Sequence, residues 1–272
     1  MIVRESLRAA AESLEATSES PRLDAELLMA HALNVSRESM LLDYLDGETP
    51  PSFKPFLERR MGHEPVAYIT GYREFWSLEF SVGPGVLIPR PDSETLIEVA
   101  RTTLSANPPN QILDLGTGSG ALLLAALSEW PMAKGVGIDR SATALACAES
   151  NAERLGLSGR AQFRIGDWGE NETERYDLIL CNPPYVAAST PLMPDVGRYE
   201  PQEALFALDE GLADYRRIVP QLSKLLSTEG VACLELGEGQ AASVSQLCAE
   251  QALVSSISRD LAGHERCLLI HS

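Results

Sequence analysis

Residues 111–127 read QILDLGTGSGALLLAAL, and the fold is decided there. An apolar run of strand length ends at Leu115, passes through the glycine loop Gly116-Thr117-Gly118-Ser119-Gly120, and enters an Ala/Leu-rich helix. Glycines at such a turn remove the Cβ atoms that would hold a ligand off the backbone, and they allow strand to become helix abruptly. Outward from this point, strand-length apolar runs at 135–139, 161–166, 176–181 and 230–236 alternate with amphipathic helical patterns at 119–130, 141–155, 212–227 and 240–252. That alternation predicts an α/β fold, a parallel sheet covered by helices on both faces. A strand near 254–259 is followed, after only a short polar loop, by a last strand at 267–271. So short a connection favours an antiparallel neighbour.

Three features fall at the carboxyl ends of three successive strands, where open α/β sheets bind ligands. The loop spacing Gly-x-Gly-x-Gly lacks the extra residue of the dinucleotide fingerprint, and no phosphate-binding loop occurs elsewhere. Asp139 ends the next strand about 20 residues further on, where a carboxylate can accept both ribose hydroxyls. Gly166-Asp167-Trp168 ends the third, with a carboxylate for an adenine amino group and an indole to cover the ring. Each has a plain alternative: a tight turn, a helix N-terminal charge, a core indole. Together they predict a crevice for S-adenosyl-L-methionine, contacted by Asp114, Gly116, Thr117, Gly118, Ser119, Gly120, Asp139, Asp167, Trp168 and Asn182.

The fourth strand delivers Asn182-Pro183-Pro184-Tyr185 to the same edge. Consecutive prolines keep the chain extended and offer no N–H to compete for nearby acceptors. An Asn side-chain oxygen beside a free carbonyl forms a pair of acceptors suited to a planar NH2 group, and Tyr185 can lie flat against it. Such a nitrogen is a poor nucleophile because its lone pair is delocalised. Two acceptors that bind more tightly as charge develops would activate it without a general base. Asn182, Pro183 and Tyr185 are therefore the catalytic candidates, and Asn182, Pro183, Pro184 and Tyr185 the substrate-binding set.

The remaining sequence sets boundaries. Residues 1–72 read as short helices: Val3, Leu7, Ala10 and Leu14 share a face, and Ser20-Pro21 opens a helix with Leu23, Leu27, Leu28 and Ala32 inward. Smaller helices are expected at 36–45 and 52–61, the latter closed by a left-handed Gly62. Alternation over 75–82, the turn Gly83-Pro84-Gly85 and a returning strand at 86–88 predict a hairpin linker at 73–90, leaving 91–272 as the catalytic domain. Five cysteines without a Cys-x-x-Cys pair, and four histidines away from ligand spacing, predict neither disulfide framework nor metal. Net charge is -17, which disfavours a nucleic-acid partner; of Arg59, Arg60, Arg73 and Arg90, most read as solvated surface charges. With no leader and no apolar stretch of about 18 residues, a cytoplasmic monomer without membrane contact is expected. A base-amine methyltransferase and a non-catalytic binding module are the rival readings; charge opposes the first, and the intact Asn182 and Asp139 the second.

With these residues in view, the chain resembles the release factor glutamine methyltransferase family over nearly its whole length. Besides the glycine loop and Asn182–Tyr185, the resemblance rests on residues 64–71 (EPVAYITG), 73–76 (REFW), 87–94 (LIPRPDSE) and 198–201 (RYEP). Ser93 and Tyr199 stand where relatives often carry Thr and Phe. The resemblance implies a helical N-terminal domain that contacts a peptide chain release factor, a hairpin linker, and a seven-stranded Rossmann-like methyltransferase sheet with its last strand antiparallel. It further implies that Asn182 and the Pro183 carbonyl hold the glutamine amide of a Gly-Gly-Gln loop, with Tyr185 against it.

Overall fold

In the computed structural model, which describes residues 1–271, the chain forms two compact units. One comprises Met1–Tyr72 with Leu192–Tyr199, the other Arg73–Pro191 with Glu200–Ser272.

The first unit contains α1 (Val3–Leu14), α2 (Pro21–Leu33), α3 (Arg37–Asp43), α4 (Phe53–Met61), α5 (Val66–Thr70) and α9 (Pro194–Tyr199). Val3, Ala10 and Leu14 are buried against Leu28, Met29, Met40 and Phe53, as the helical spacing requires. Leu23, expected inward, is exposed; the inward face of α2 is shifted to Asp24, Ala25, Leu28 and Met29. The reason is electrostatic. Arg60 Nε donates to Asp24 Oδ2 at 2.7 Å, so a charged pair occupies part of the core. Ser20 stands at the N-cap with Pro21 following, but its hydroxyl donates to Asp24 instead of accepting from the helix. Gly62 is not left-handed (φ -78°); His63 adopts that conformation (φ 68°).

The second unit opens with a hairpin, β1 (Tyr72–Phe75) and β2 (Leu78–Ser81). Its turn is Trp76-Ser77, both with positive φ, the backbone of a type I′ turn. The expected turn at 83–85 exists, with Val86 N–H donating to the Gly83 carbonyl, but 86–88 forms no strand there. Trp76 was misread because alternation runs straight through a tight turn whose geometry its residues do not announce. Its backbone N–H donates to Glu94 and its indole to Glu129.

Seven strands follow in the order β10-β11-β9-β6-β3-β4-β5: β3 (Gln111–Leu115), β4 (Lys134–Asp139), β5 (Ala161–Ile165), β6 (Tyr176–Cys181), β9 (Leu226–Glu235), β10 (Val254–Arg259) and β11 (Glu265–His271). Only β11 runs against its neighbours, as expected of the last strand. Helices α6 (Glu94–Thr103) and α7 (Ala121–Glu129) cover one face, where Ile112, Leu178 and Leu180 point. Helices α11 (Ala213–Leu225) and α12 (Ala241–Glu250) cover the other, where Leu113, Leu115, Ile179 and Cys181 point. The period of two thus divides each central strand between two cores. Helix α8 (Ala142–Arg154) bridges β4 and β5. Beyond β6, β7 (Val186–Ala187) pairs with β8 (Phe206–Ala207), and the turn α10 (Leu208–Gly211) contains left-handed Asp209 and Glu210. No helix among the described residues is long and apolar enough to cross a membrane.

Candidate active site

From β3 the chain steps outward through β4 and β5 on one side and starts again with β6 on the other. The gap between β3 and β6 is therefore the topological switch point, and both the glycine loop and Asn182–Tyr185 emerge beside it. Gly116 (φ 73°) carries the loop out of the sheet; a Cβ there would lie 3.1 Å from the Trp168 ring. The Gly116 and Thr117 N–H groups both donate to the Ile138 carbonyl at 2.9 Å. Asp139 is held by backbone donors, Gly118 N to Oδ2 at 2.9 Å and Ser141 N to Oδ1 at 2.8 Å, which leaves each oxygen further lone pairs. Beneath the loop Asp114 is completely buried, accepting from Thr117 Oγ1 at 2.6 Å. Its other oxygen has no partner, and burial pushes its pKa up to about 7.

A cleft lies above this loop, at the edge of the sheet where open α/β folds bind ligands. It brings together Gly116, Gly118, Asp139, Asp167, Trp168, Asn182 and Pro184. Asp114, Thr117, Ser119 and Gly120 support it from below: Ser119 is buried, its carbonyl accepting from Asn151, and Gly120 packs on Ala148. Trp168 sits in left-handed backbone (φ 52°), a strained state that persists where surrounding contacts enforce it. Asp167 reaches the cleft, but its Oδ2 is engaged by Arg217 at 2.6 Å, leaving one oxygen for a ligand.

The opposite wall was not foreseen. It comes from Gly85 and Leu87 on one loop and Pro201, Glu203 and Ala204 on another. Glu200, almost fully buried, ties the two loops together by accepting from Ile88 N at 3.0 Å and pairing with Arg90 at 2.5 Å. The signal was present in the Arg90-Pro91 and Glu200-Pro201 segments, but nothing in either names its partner. The reading of most of the four arginines as solvated holds for Arg59, which is exposed and pairs with Glu64 at 2.5 Å, and is corrected at Arg60 and Arg90, which hold buried carboxylates. Arg73 is half-buried, its Nε without an acceptor.

At the end of β6, Asn182 Nδ2 donates to Ser93 Oγ at 3.1 Å. Ser93 Oγ donates to Glu235 Oε2 at 2.5 Å, and Tyr185 Oη to Glu235 Oε1 at 3.0 Å. Pairing of Cys181 with Leu234 explains the meeting, because it carries the next residues, Asn182 and Glu235, to the same level. Burial raises the Glu235 pKa, against the lowering effect of the two hydroxyl donors and of Arg266. The Tyr185 phenol is pushed upward by burial and by this carboxylate. Sequence reading missed Glu235, which looked like the tail of an ordinary strand.

A cleft at the switch point, with Asn182 and Pro184 of the Asn-Pro-Pro-Tyr loop in its wall, defines a Rossmann-like methyltransferase. Residues 107–267 match the methyltransferase domain model, and residues 5–71 match the PrmC N-terminal domain. Two solved structures share the fold. The catalytic domain of hMettl16 in complex with MAT2A 3'UTR hairpin 6 has a TM-score of 0.58 at 18% identity, covering 76% of this chain and 80% of that one. The T. thermophilus 16S rRNA N2 G1207 methyltransferase, in complex with AdoMet and guanosine, gives 0.51 at 21% identity, covering 74% and 49%. Within that class, the chain belongs to the release factor glutamine methyltransferase family. Relatives of that name include those of Rhodospirillum rubrum, 41% identical with 92% of this chain and 79% of the relative covered, and Pseudomonas aeruginosa, 41% identical with 93% of each covered. The Vibrio cholerae relative is 39% identical, with 98% and 96% covered.

Proposed function

We propose that this chain transfers the methyl group of S-adenosyl-L-methionine to the side-chain amide nitrogen of the glutamine in the Gly-Gly-Gln loop of class-one peptide chain release factors. The observation that carries the reading is the Asn182 carboxamide on the rim of the cleft, its NH2 group committed to Ser93 and its oxygen left as an acceptor. The cleft fits the cofactor chemically. Asp139 offers lone pairs to ribose hydroxyls, Asp167 Oδ1 an acceptor for an adenine amino group, and Trp168, Leu87, Ile138 and Ala144 supply apolar walls.

When bound, S-adenosylmethionine supplies an electrophilic methyl group on a sulfonium sulfur. Asn182 Oδ1 and the Pro183 carbonyl accept the two hydrogens of the substrate amide, and the Tyr185 ring packs against its plane. Both acceptors strengthen as the nitrogen becomes positive, which favours the transition state over the ground state. The product amide cation is acidic enough to lose its proton to water, so the residues contribute position and polarity and no strong base is needed. The protein substrate agrees with the net charge of -17, which repels a phosphate backbone. The chain would act as a cytoplasmic monomer.

Incubation with methyl-labelled cofactor and a release factor, followed by peptide mass spectrometry, tests the reading. The label is expected on the glutamine of the Gly-Gly-Gln loop. Its absence there, or its recovery in added tRNA or rRNA, would overturn the assignment.

A further inference from the structure

We propose that Ser93 and Glu235 are positioning residues for the transfer, fixing which end of the Asn182 carboxamide faces the substrate and holding the Tyr185 ring by its hydroxyl. The inference rests on the functional reading above and extends it to two side chains outside the Asn-Pro-Pro-Tyr loop.

A count of hydrogens fixes the orientation. A serine hydroxyl has one hydrogen and two lone pairs. At 2.5 Å from Glu235 Oε2, Ser93 has committed its hydrogen to the carboxylate, an acceptor on both oxygens. Only lone pairs remain to face Asn182, 3.1 Å away, and only the NH2 end of a carboxamide can meet them. The Asn182 oxygen is thereby turned the other way, on a residue that lines the cleft. A carboxamide without this lock could rotate and present its NH2 to a substrate NH2, donor against donor. The same carboxylate receives the Tyr185 hydroxyl on its second oxygen, so one buried group orients both side chains of the loop. Ser93 and Glu235 are themselves buried, in a shell with little freedom to rearrange.

Polarity is the testable content. In Ser93→Ala the lock is gone with no change of charge; Ser93→Thr keeps the hydroxyl. In Glu235→Gln the shape persists, but one of the two hydroxyls must face an NH2. If that is Ser93, its hydrogen is released toward Asn182 and the carboxamide is driven to flip.

Two readouts on the full-length chain decide the matter. Hydrogen exchange of the Asn182 side-chain NH2, followed by NMR on nitrogen-labelled protein without any substrate, should be slow in the unaltered chain and in Ser93→Thr, and fast in Ser93→Ala. Single-turnover methylation of a release factor should fall at least ~10-fold in kcat for Ser93→Ala and for Glu235→Gln. Calorimetric affinity for S-adenosylmethionine should stay unchanged in both. Ser93→Thr should restore turnover. An Ser93→Ala chain with protected Asn182 or normal kcat would overturn the proposal, as would a matching loss of cofactor affinity. Should Glu235→Gln fail to fold, the two Ser93 variants still decide it. Protection that follows the stated pattern in a chain that methylates no release factor would support the lock and sink the functional reading alone.

Discussion

Replacing Asp114 by Asn should make the protein more stable at neutral pH and change nothing below about pH 4. Asp114 is fully buried, and burial raises its pKa from 3.8 to about 7. In the unfolded chain the same carboxyl ionises near 3.8. Between those two values the folded chain holds a proton that the unfolded chain has lost, so stability falls as pH rises. The penalty is absent below 3.8 and complete above about 7. A span of roughly three pH units at about 1.4 kcal/mol each makes it ~4 kcal/mol at pH 8, as an upper figure. Asn keeps the shape and the acceptor for Thr117 but never ionises. Urea unfolding of both proteins at intervals from about pH 4.5 to 8.5 should give curves that diverge with rising pH, Asp114→Asn ending ahead. A difference independent of pH would show that Asp114 is already ionised in the fold and would refute the reasoning.

Asn182→Ala should lower methyl transfer ~100-fold or more with a much smaller change in cofactor affinity, since it removes an acceptor that strengthens as the substrate nitrogen gains charge; calorimetry beside single-turnover rates checks both. Asp139→Ala should weaken S-adenosylmethionine roughly 10- to 100-fold, because it removes a charged acceptor and frees the N–H groups of Gly118 and Ser141. A calorimetric titration with unchanged affinity would rule out the ribose role. Arg60→Met should destabilise the helical unit by about 3–5 kcal/mol, since it strands Asp24 in the interior. Thermal unfolding would reveal this, and a loss under about 1 kcal/mol would mean that Ser18 and Ser20 suffice to hold the charge.

How much of this was legible follows from where each signal lies. The glycine loop, Asp139 and Asn182–Tyr185 are local: each announces its strand end within a few residues, and the structure puts all three at one edge. The antiparallel β11 was legible because a short loop permits little else. The hairpin was misplaced because Trp76 and Ser77 carry none of the Gly or Asn that positive φ normally selects. The inward face of α2 was misjudged because Asp24 is buried by Arg60, 36 residues away. The roles of Glu200 and Glu235 could not be read for the same reason: their partners are Arg90 and Ser93, 110 and 142 residues distant. Pairwise polar contacts at that range leave no periodicity, and one sequence offers no other record of them.

The same distant contacts explain why the acceptor loop can be rigid without any metal or strong base in the proposed chemistry. Behind Tyr185, Gln240 Nε2 donates to its carbonyl at 3.0 Å while Gln240 Oε1 accepts from Gly237 N. Gly211 packs against the same carbonyl so tightly that a Cβ there would fall 2.2 Å from the Tyr185 carbonyl oxygen and 2.5 Å from Gln240 Nε2. The approach requires left-handed backbone at Asp209 and Glu210 as well, a strain of about 1–3 kcal/mol per residue. Arg216, paired with Asp209 at 2.5 Å, is one of the contacts that holds it. A loop clamped by main-chain contacts from behind and by one buried carboxylate from the side has few conformations left to lose when substrate arrives. That is the condition under which acceptors placed in advance, rather than a proton-abstracting group, can activate an amide nitrogen.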